Sequence, residues 1–291
     1  MRDNLTNVLF VIRTLLSRGK GNQAFIGANW VVALLKVVPK RFKRHLALSL
    51  LSWSPHYFYR HVNDEYHGLP RNEFLEREFT RTKESRQKIV NLILARYLKT
   101  DQIVLDYGCG PGFLANAVSA LVAKVLAVDV SIGALECARI LNGQENITYL
   151  HAAQLEHVED ASIDLVYSFA VVQHVTDQVL GNILDTSYRA LNNNGRIVLH
   201  VVIDQHEWRS EADWASDKTI KGRIKLKYGL NCFGRSGDAI VRMLVSHGFS
   251  SVYLQPISSL CSDDFDDICK QHLVTACKSA RLNDCQAPEK S

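Results

Sequence analysis

The stretch that decides the fold reads Val104-Leu105-Asp106-Tyr107-Gly108-Cys109-Gly110-Pro111-Gly112. An apolar run ends in an acid, three glycines follow at alternate positions, and a helical pattern begins at Phe113. Because glycine has no Cβ, it suits a turn that needs a positive φ or the close approach of a ligand. A helix N-terminus beside such a turn offers unpaired N–H groups to a polar ligand. The pattern predicts a strand, a tight turn and a helix that together form a ligand site.

The spacing of the glycines separates two kinds of nucleotide site. A dinucleotide-binding turn has the pattern G-x-G-x-x-G or A. Here the third glycine comes one residue early, and Phe113 stands where the small residue should be. The stretch instead resembles motif I of the class I S-adenosylmethionine (SAM) methyltransferases, D-x-G-C-G-x-G. This resemblance covers about residues 72–280 and implies an enzyme that converts SAM to S-adenosylhomocysteine.

Strand and helix patterns alternate from Asp101 onward, which favours a parallel sheet with helices on both faces. The fifth strand is predicted at Arg196–Ile203, after a turn at Asn192–Gly195. Residues 204–232 read as an irregular insertion, and two closing strands follow it. With the resemblance, this predicts a Rossmann-like, seven-stranded, mostly parallel sheet whose last strand is antiparallel, plus an N-terminal helical extension.

Composition divides the 291 residues into three parts. Residues 1–71 are predicted to form a basic, helical N-terminal extension or cap, residues 72–282 the methyltransferase domain, and residues 283–291 a flexible tail. The first 60 residues carry about ten Lys and Arg against one acid, Asp3. The extension has three interpretations: it contacts an anionic membrane surface, it recruits an acidic carrier or substrate, or it is a cap with solvated charges.

Partners and location follow from the same features. The chain shows no secretory signal and no run of about 20 apolar residues, so we expect a cytoplasmic protein. Peripheral contact with a membrane, or with an acidic carrier, is predicted for the basic residues 36–45. Nucleic acid is not a favoured partner, because no RNA-binding module precedes the fold. The seven cysteines lack metal-type spacing, and no metal site is expected.

The resemblance implies the cofactor-binding residues. Asp106 ends the first strand at the carboxyl edge of the sheet, where open α/β folds bind ligands, and would lie beside the methionine part of SAM. Asp129 ends the second strand and would accept hydrogen bonds from the ribose hydroxyls. An adenine contact is implied for His151 or the backbone of Ala152, where the family often has an acid. The full predicted set is Asp106, Gly108, Cys109, Gly110, Gly112, Asp129, Val130, His151, Ala152 and Ser168.

The two acids also have simpler interpretations. Asp106 could only pin the glycine loop, and Asp129 could only favour the N-terminus of the next helix through the helix dipole. The aromatic and histidine-rich residues 56–67 are a candidate lid over the substrate, with packing against the sheet domain as the alternative.

Two histidines are candidate catalytic residues. His174 lies in Val171–Val175, which resembles the family segment after strand 4, and His206 follows strand 5 on the side expected for the substrate. An imidazole at either place could take a proton from a hydroxyl or amine. Packing is the alternative role for His174, and a solvent-facing loop is the alternative for His206.

The predicted reaction is an in-line displacement that moves the methyl group of SAM to a small or lipid-linked acceptor, with oxygen as the favoured acceptor atom. Alignment of donor and acceptor is the main task of the protein. A base is needed only if the acceptor must lose its proton early. The alternative function is a SAM-binding assembly or regulatory protein that does not catalyse transfer.

Overall fold

The computed structural model describes residues 29–52, 57, 68–205, 208–228, 231–260 and 271–278. Within these ranges, seven strands form one sheet with the order β3-β2-β1-β4-β5-β7-β6. The strands are β1 (Ile103–Tyr107), β2 (Lys124–Asp129), β3 (Ile147–His151), β4 (Ile163–Ser168), β5 (Leu191–Val201), β6 (Ser250–Pro256) and β7 (His272–Cys277).

The sheet is parallel from β3 to β5, and β7 runs antiparallel between β5 and β6. The predicted Rossmann-like sheet with an antiparallel last strand is confirmed. Strands that are covered on both faces read as continuous apolar runs, and the residues Val125–Val128 of β2 are all buried. The strand order reverses between β1 and β4, so the ligand crevice is expected at the carboxyl ends of these two strands.

Helices cover the sheet, and several of them begin at a side-chain cap. Ser131, Thr176 and Ser236 each accept a hydrogen bond from a backbone amide three residues later. No helix in the described ranges has the length and apolar character needed to cross a bilayer. The helices are α1 (Asn29–Val37), α2 (Lys40–Leu51), α3 (Arg71–Ile89), α4 (Phe113–Ser119), α5 (Ile132–Asn142), α6 (Asp177–Ala190), α7 (Glu211–Ser216), α8 (Ile220–Tyr228) and α9 (Gly237–Ser246).

Two predictions about local structure are wrong. Residues 204–232 contain α7 and α8 rather than only irregular chain, and Ser210 starts α7 through a capping box. Residues Asn192–Gly195 lie inside β5, whose pairing with β4 shifts register and leaves extra residues as a bulge. Asn192 explains the bulge, since its Oδ1 accepts a hydrogen bond from the Asn194 amide at 3.0 Å. The side chain makes the expected local turn while the strand continues.

The N-terminal helices pack on the sheet domain. Leu48, Leu50 and Leu51 of α2 are buried in one cluster with Phe74 of α3 and Phe113 of α4. Because α4 follows the glycine turn directly, the extension is joined to the part of the domain that carries the predicted site.

Leu50→Ala should lower the free energy of unfolding by about 2–5 kcal/mol, because it removes a fully buried side chain and leaves a cavity. Val37→Ala is the control, since Val37 is 77% exposed and its loss should change stability by less than about 0.5 kcal/mol. Urea denaturation followed by circular dichroism measures both. Equal, small effects would show that α1 and α2 do not unfold with the sheet domain.

Candidate active site

The turn between β1 and α4 has a backbone that glycine adopts without strain. The φ angles are +84° at Gly108, +52° at Gly110 and +77° at Gly112. A Cβ at Gly108 would lie 2.3 Å from Val171 Cγ2, and one at Gly112 would lie 2.4 Å from the Tyr149 hydroxyl. The turn therefore needs glycine both for its conformation and for the space that its neighbours occupy.

Hydrogen bonds to neighbouring elements hold this turn in place. Asn142, at the end of α5, donates to the Pro111 carbonyl at 2.8 Å, and the Tyr149 hydroxyl donates to the Asn142 carbonyl at 3.0 Å. The amide of Cys109 donates to the Val128 carbonyl at 2.9 Å. Burial raises the pKa of the Cys109 thiol well above its ordinary value. Cys109 thus supports the turn through its backbone, and its neutral thiol belongs to the core.

Asp129 joins the glycine turn to the start of α5. Its Oδ2 accepts a hydrogen bond from the Gly110 amide at 2.8 Å, and its Oδ1 accepts one from the Ser131 amide at 2.7 Å. Burial raises the pKa of Asp129, and these two backbone hydrogen bonds oppose that rise. Each carboxylate oxygen can accept two hydrogen bonds. Asp129 can therefore hold the turn and still accept hydrogen bonds from the hydroxyls of a ribose.

Asp106 is buried at the end of β1, opposite Tyr167 of β4. Burial and the nearby charge of Asp129 raise the pKa of Asp106 to about 8, and the Tyr167 hydroxyl partly offsets this rise. Within the described part of the chain, Asp106 Oδ2 is buried without a hydrogen-bond partner of normal geometry. Such an oxygen is costly, and a cation bound beside it would remove the cost. The ammonium group of the SAM methionyl part fits this requirement.

His151, at the end of β3, uses both ring nitrogens on the backbone. Its Nδ1 accepts a hydrogen bond from the Ala153 amide at 3.2 Å, so Nε2 carries the proton and donates to the Val130 carbonyl at 3.1 Å. The geometry favours contact with a flat ligand through the ring face of His151 or the backbone of Ala152. Val130 and Ile132 are 41% and 37% exposed beside it, which adds apolar surface for an adenine.

Hydrogen bonds hold the carboxyl end of β4 on two sides. The buried Ser168 Oγ donates to the Tyr107 carbonyl at 2.7 Å, which ties β4 to the glycine turn. Ala170 has a φ of +59°, and its amide donates to His200 Nδ1 at 3.1 Å. His200 Nε2 then donates to Gln271 Oε1. Burial lowers the pKa of His200 to about 4, so a neutral ring stabilises the bend after β4.

His174 follows that bend, in a short 3₁₀ turn. Its Nδ1 lies 3.1 Å from the Asn231 carbonyl, so Nδ1 is protonated in the neutral ring and Nε2 carries the lone pair. Burial lowers the pKa of His174, and the hydrogen bond to Asn231 partly opposes this. His174 is therefore neutral at pH 7, which is the form that a general base requires.

Other predicted residues are distributed as follows. His206 lies outside the described residues, as does the segment 56–67 except for Tyr57. Tyr57 contacts the glycine turn, since a Cβ at Gly110 would lie 3.2 Å from its ring. Sequence reasoning missed the supporting roles of Asn142 and Tyr149. No local signal identifies them, because their partners are backbone atoms brought near only by folding.

Comparisons with known proteins agree with this geometry. Residues 105–199 match the family described as a methyltransferase domain. A ribosomal protein L11 methyltransferase of Clostridium botulinum (strain Alaska E43 / Type E3) is 33% identical over 153 residues, which are 49% of this chain and 46% of that protein. One from Cupriavidus pinatubonensis is 30% identical over 137 residues, 42% of this chain and 44% of that protein. The chain spans about half the length of the curated relatives that it matches.

A solved structure supports the fold. The methyltransferase in complex with the Haloferax volcanii methyltransferase activator Trm112 has a TM-score of 0.50 and 14% identity, and the match covers 69% of this chain and 94% of that chain. At this identity the likeness concerns the fold alone.

Asp106→Asn should stabilise the ligand-free protein, because it removes a carboxyl group whose charged form is destabilised by burial and by the nearby charge of Asp129. The folded pKa is about 8 and the unfolded pKa is about 3.9. The folded state therefore holds the proton more tightly, and this group lowers stability as pH rises from about 4 to about 8. We expect Tm to rise at pH 8 and to rise less at pH 5, where the folded carboxyl group is already protonated. Calorimetry showing an equal shift at both pH values would contradict the raised pKa.

Proposed function

We propose that this chain, whose residues 105–199 are a class I SAM-dependent methyltransferase domain, methylates a hydroxyl oxygen of a small or lipid-linked acceptor. The observation that carries the proposal is the pair of buried carboxylates around the glycine turn. Among the described residues, Asp106 Oδ2 has no hydrogen-bond partner of normal geometry, and Asp129 keeps acceptor capacity after it has bound two amides. An ammonium and a ribose in one ligand match these two acids, and SAM carries both groups.

In the proposed arrangement, Asp106 binds the methionyl ammonium and Asp129 binds the ribose. The adenine contacts Val130, the ring face of His151 and the backbone of Ala152. The backbone of the glycine turn lies along the methionyl part, because no Cβ stands between them. When bound, SAM supplies a methyl group on a positively charged sulfur. Alignment of this group with the acceptor can lower the barrier by about 7–11 kcal/mol.

We assign the role of general base to His174. A hydroxyl becomes a good nucleophile when it loses its proton, and the lone pair on His174 Nε2 can accept that proton. The hydrogen bond from Nδ1 to the Asn231 carbonyl holds the ring in this tautomer and would stabilise the charge as it forms. His200 is less suited to this role, because burial lowers its pKa to about 4 and makes it a weak base.

The proposed domain boundaries are residues 1–71 for the extension, 72–282 for the catalytic domain and 283–291 for the tail. The extension is proposed to contact an anionic membrane surface through residues 36–45, with an acidic carrier as the alternative. Lys36, Lys40 and Arg41 are exposed there beside Val37 and Phe42, which are 77% and 52% exposed. Cations around exposed apolar side chains are typical of helices that bind at a lipid interface.

A protein acceptor is the second candidate. It is favoured by the relatives in Clostridium botulinum and Cupriavidus pinatubonensis, which are named for ribosomal protein L11. The shared segment covers less than half of each of those proteins, so their acceptor specificity is a weaker argument here than the chemistry of the site.

S-adenosylhomocysteine, which keeps the ammonium and the ribose, should bind more tightly as pH rises from 6 to 7. The free Asp106 carboxyl has a pKa of about 8 and must ionise to pair with the ammonium, so the Kd should fall by about tenfold over this unit. Asp106→Asn should weaken binding and remove the pH dependence. Asp129→Asn should weaken binding by roughly ten- to a hundredfold. It should also shift the rise in affinity to lower pH, because the pKa of Asp106 falls when the negative charge of Asp129 is removed. Isothermal titration calorimetry measures all three, and a flat wild-type profile would refute the assignment of Asp106.

Catalysis is tested with SAM that is labelled in its methyl group, by measuring the release of S-adenosylhomocysteine and the transfer of label to the acceptor. One arm contains hydroxylated small molecules and a lipid extract, and the other contains ribosomal protein. We expect release in the first arm and a product that is one methyl group heavier on oxygen. His174→Gln should lower kcat by about a hundredfold or more, whereas His157→Gln should not, since His157 is 78% exposed. Label only in the protein arm would favour the second candidate. Tight cofactor binding without release in either arm would favour the non-catalytic alternative.

A further inference from the structure

The loop after β4 is held by an arginine far away in sequence. The side chain of Arg235 is 6% exposed. Its guanidinium donates to the Val172 carbonyl at 2.8 Å and to the Val175 carbonyl at 2.5 Å, and its Nε donates to Asp177 Oδ1 at 2.7 Å. The two carbonyls lie on either side of His174. One side chain therefore spans the whole segment that carries the proposed base.

The residues before Arg235 hold the same loop with their backbone. The Phe233 amide donates to the Gln173 carbonyl at 2.8 Å, and the Asn231 carbonyl accepts the hydrogen bond from His174 Nδ1 at 3.1 Å. We name residues 231–235 the clamp segment. It controls both the backbone around His174 and the tautomer of its ring.

The clamp segment is held in place by earlier residues of the same connection between β5 and α9. The buried Trp214 of α7 donates from Nε1 to the Cys232 carbonyl at 2.8 Å. The Gly234 amide donates to the Arg209 carbonyl at 3.0 Å. The insertion is therefore a support for the clamp segment and not only a surface excursion.

The same loop also contacts the glycine turn. Val171, the residue before the 3₁₀ turn, fills the space beside Gly108, where a Cβ would lie 2.3 Å from its Cγ2. The loop is thus located between the clamp segment on one side and the proposed cofactor turn on the other. Any movement of the loop changes the position of His174 relative to that turn.

We propose that Arg235 is a positioning residue for the methyl transfer, and that it acts by holding the loop that presents His174 to the acceptor. This inference rests on the proposed role of His174 as general base. Arginine suits the task because its planar group donates in several directions at once, whereas a lysine ammonium acts from a single point. The pairing with Asp177 compensates the charge of this buried cation.

Several charged or titratable groups lie near His174. Cys232 Sγ is 3.7 Å from Nδ1, and burial raises the pKa of that thiol, which keeps it neutral at pH 7. Arg235 and Asp177 lie across the loop, and Lys225 lies over the Trp214 ring at 5.6 Å. The largest influence on the pKa of His174 is its own burial, which lowers that pKa. If the clamp segment no longer held the loop, the His174 ring would become more exposed, and the pKa of His174 should rise.

Nitrogen-15 NMR of the histidine rings tests the placement without an acceptor, with the His174 signal assigned by its absence from His174→Gln. In the wild type we expect the Nδ1–H tautomer and a pKa below the ordinary value. In Arg235→Ala the pKa should rise and the tautomers should mix, and added guanidinium should partly restore the wild-type signal. Arg235→Lys is the more conservative variant and serves if Arg235→Ala fails to fold. It should give a shift of the His174 signal between those of the wild type and Arg235→Ala. Arg242→Ala is the control, because Arg242 is exposed on α9.

Kinetics with the acceptor found by the release assay provide the second measurement. Arg235→Ala should lower kcat by at least tenfold and move the acidic limb of the pH–kcat profile to higher pH, while the Kd for S-adenosylhomocysteine stays within twofold. Loss of folded protein alone would lower kcat without moving the limb. An unchanged His174 signal in the folded Arg235 variants, or an unmoved limb, would overturn the inference. A shifted His174 signal in a chain whose wild type releases no S-adenosylhomocysteine would refute the proposed function, and with it a role of Arg235 in methyl transfer, although Arg235 would still be shown to hold the loop.

Discussion

The carboxylate of Asp129 is the interaction on which the rest of the site depends. It accepts a hydrogen bond from the amide of Gly110 with one oxygen and from the amide of Ser131 with the other, so one side chain holds the turn after β1 and the turn after β2. Burial raises its pKa, and the same two hydrogen bonds oppose that rise. The two turns that Asp129 holds together thus help to stabilise its charged form. Its charge in turn raises the pKa of Asp106, which makes the crevice ready for a cation.

Around this centre, the structure uses histidines as backbone-binding groups. His151 connects the turn after β2 to the turn after β3, and His200 holds the strained bend at Ala170. In both rings one nitrogen accepts a backbone amide proton and the other donates. His174 differs, since a carbonyl occupies its Nδ1 and the basic nitrogen is Nε2. The residue type alone does not reveal this difference in tautomer.

Elements outside the parallel sheet complete the site from two sides. The N-terminal helices reach the glycine turn through the buried cluster at Phe113 and through Tyr57, which lies against Gly110. The insertion after β5 reaches the loop of His174 through Arg235. The parallel sheet therefore supplies the proposed cofactor side of the crevice, and the N-terminal helices and the insertion contact it from outside the sheet.

The glycine turn and the acid at the end of β2 could be predicted from the amino-acid sequence, because each follows from residues within a short stretch. The sheet followed from the alternation of strand and helix patterns together with the family resemblance. The positive φ angles at the turn could be inferred from the glycines alone. The course of β5 through Asn192 could not, since it depends on pairing with β4. Three features could be found only in the folded structure: the tautomer of His174, the hydrogen bonds of Arg235 to the loop after β4, and the raised pKa of Asp106. Each of these arises from burial and from partners distant along the chain, and local sequence carries no record of either.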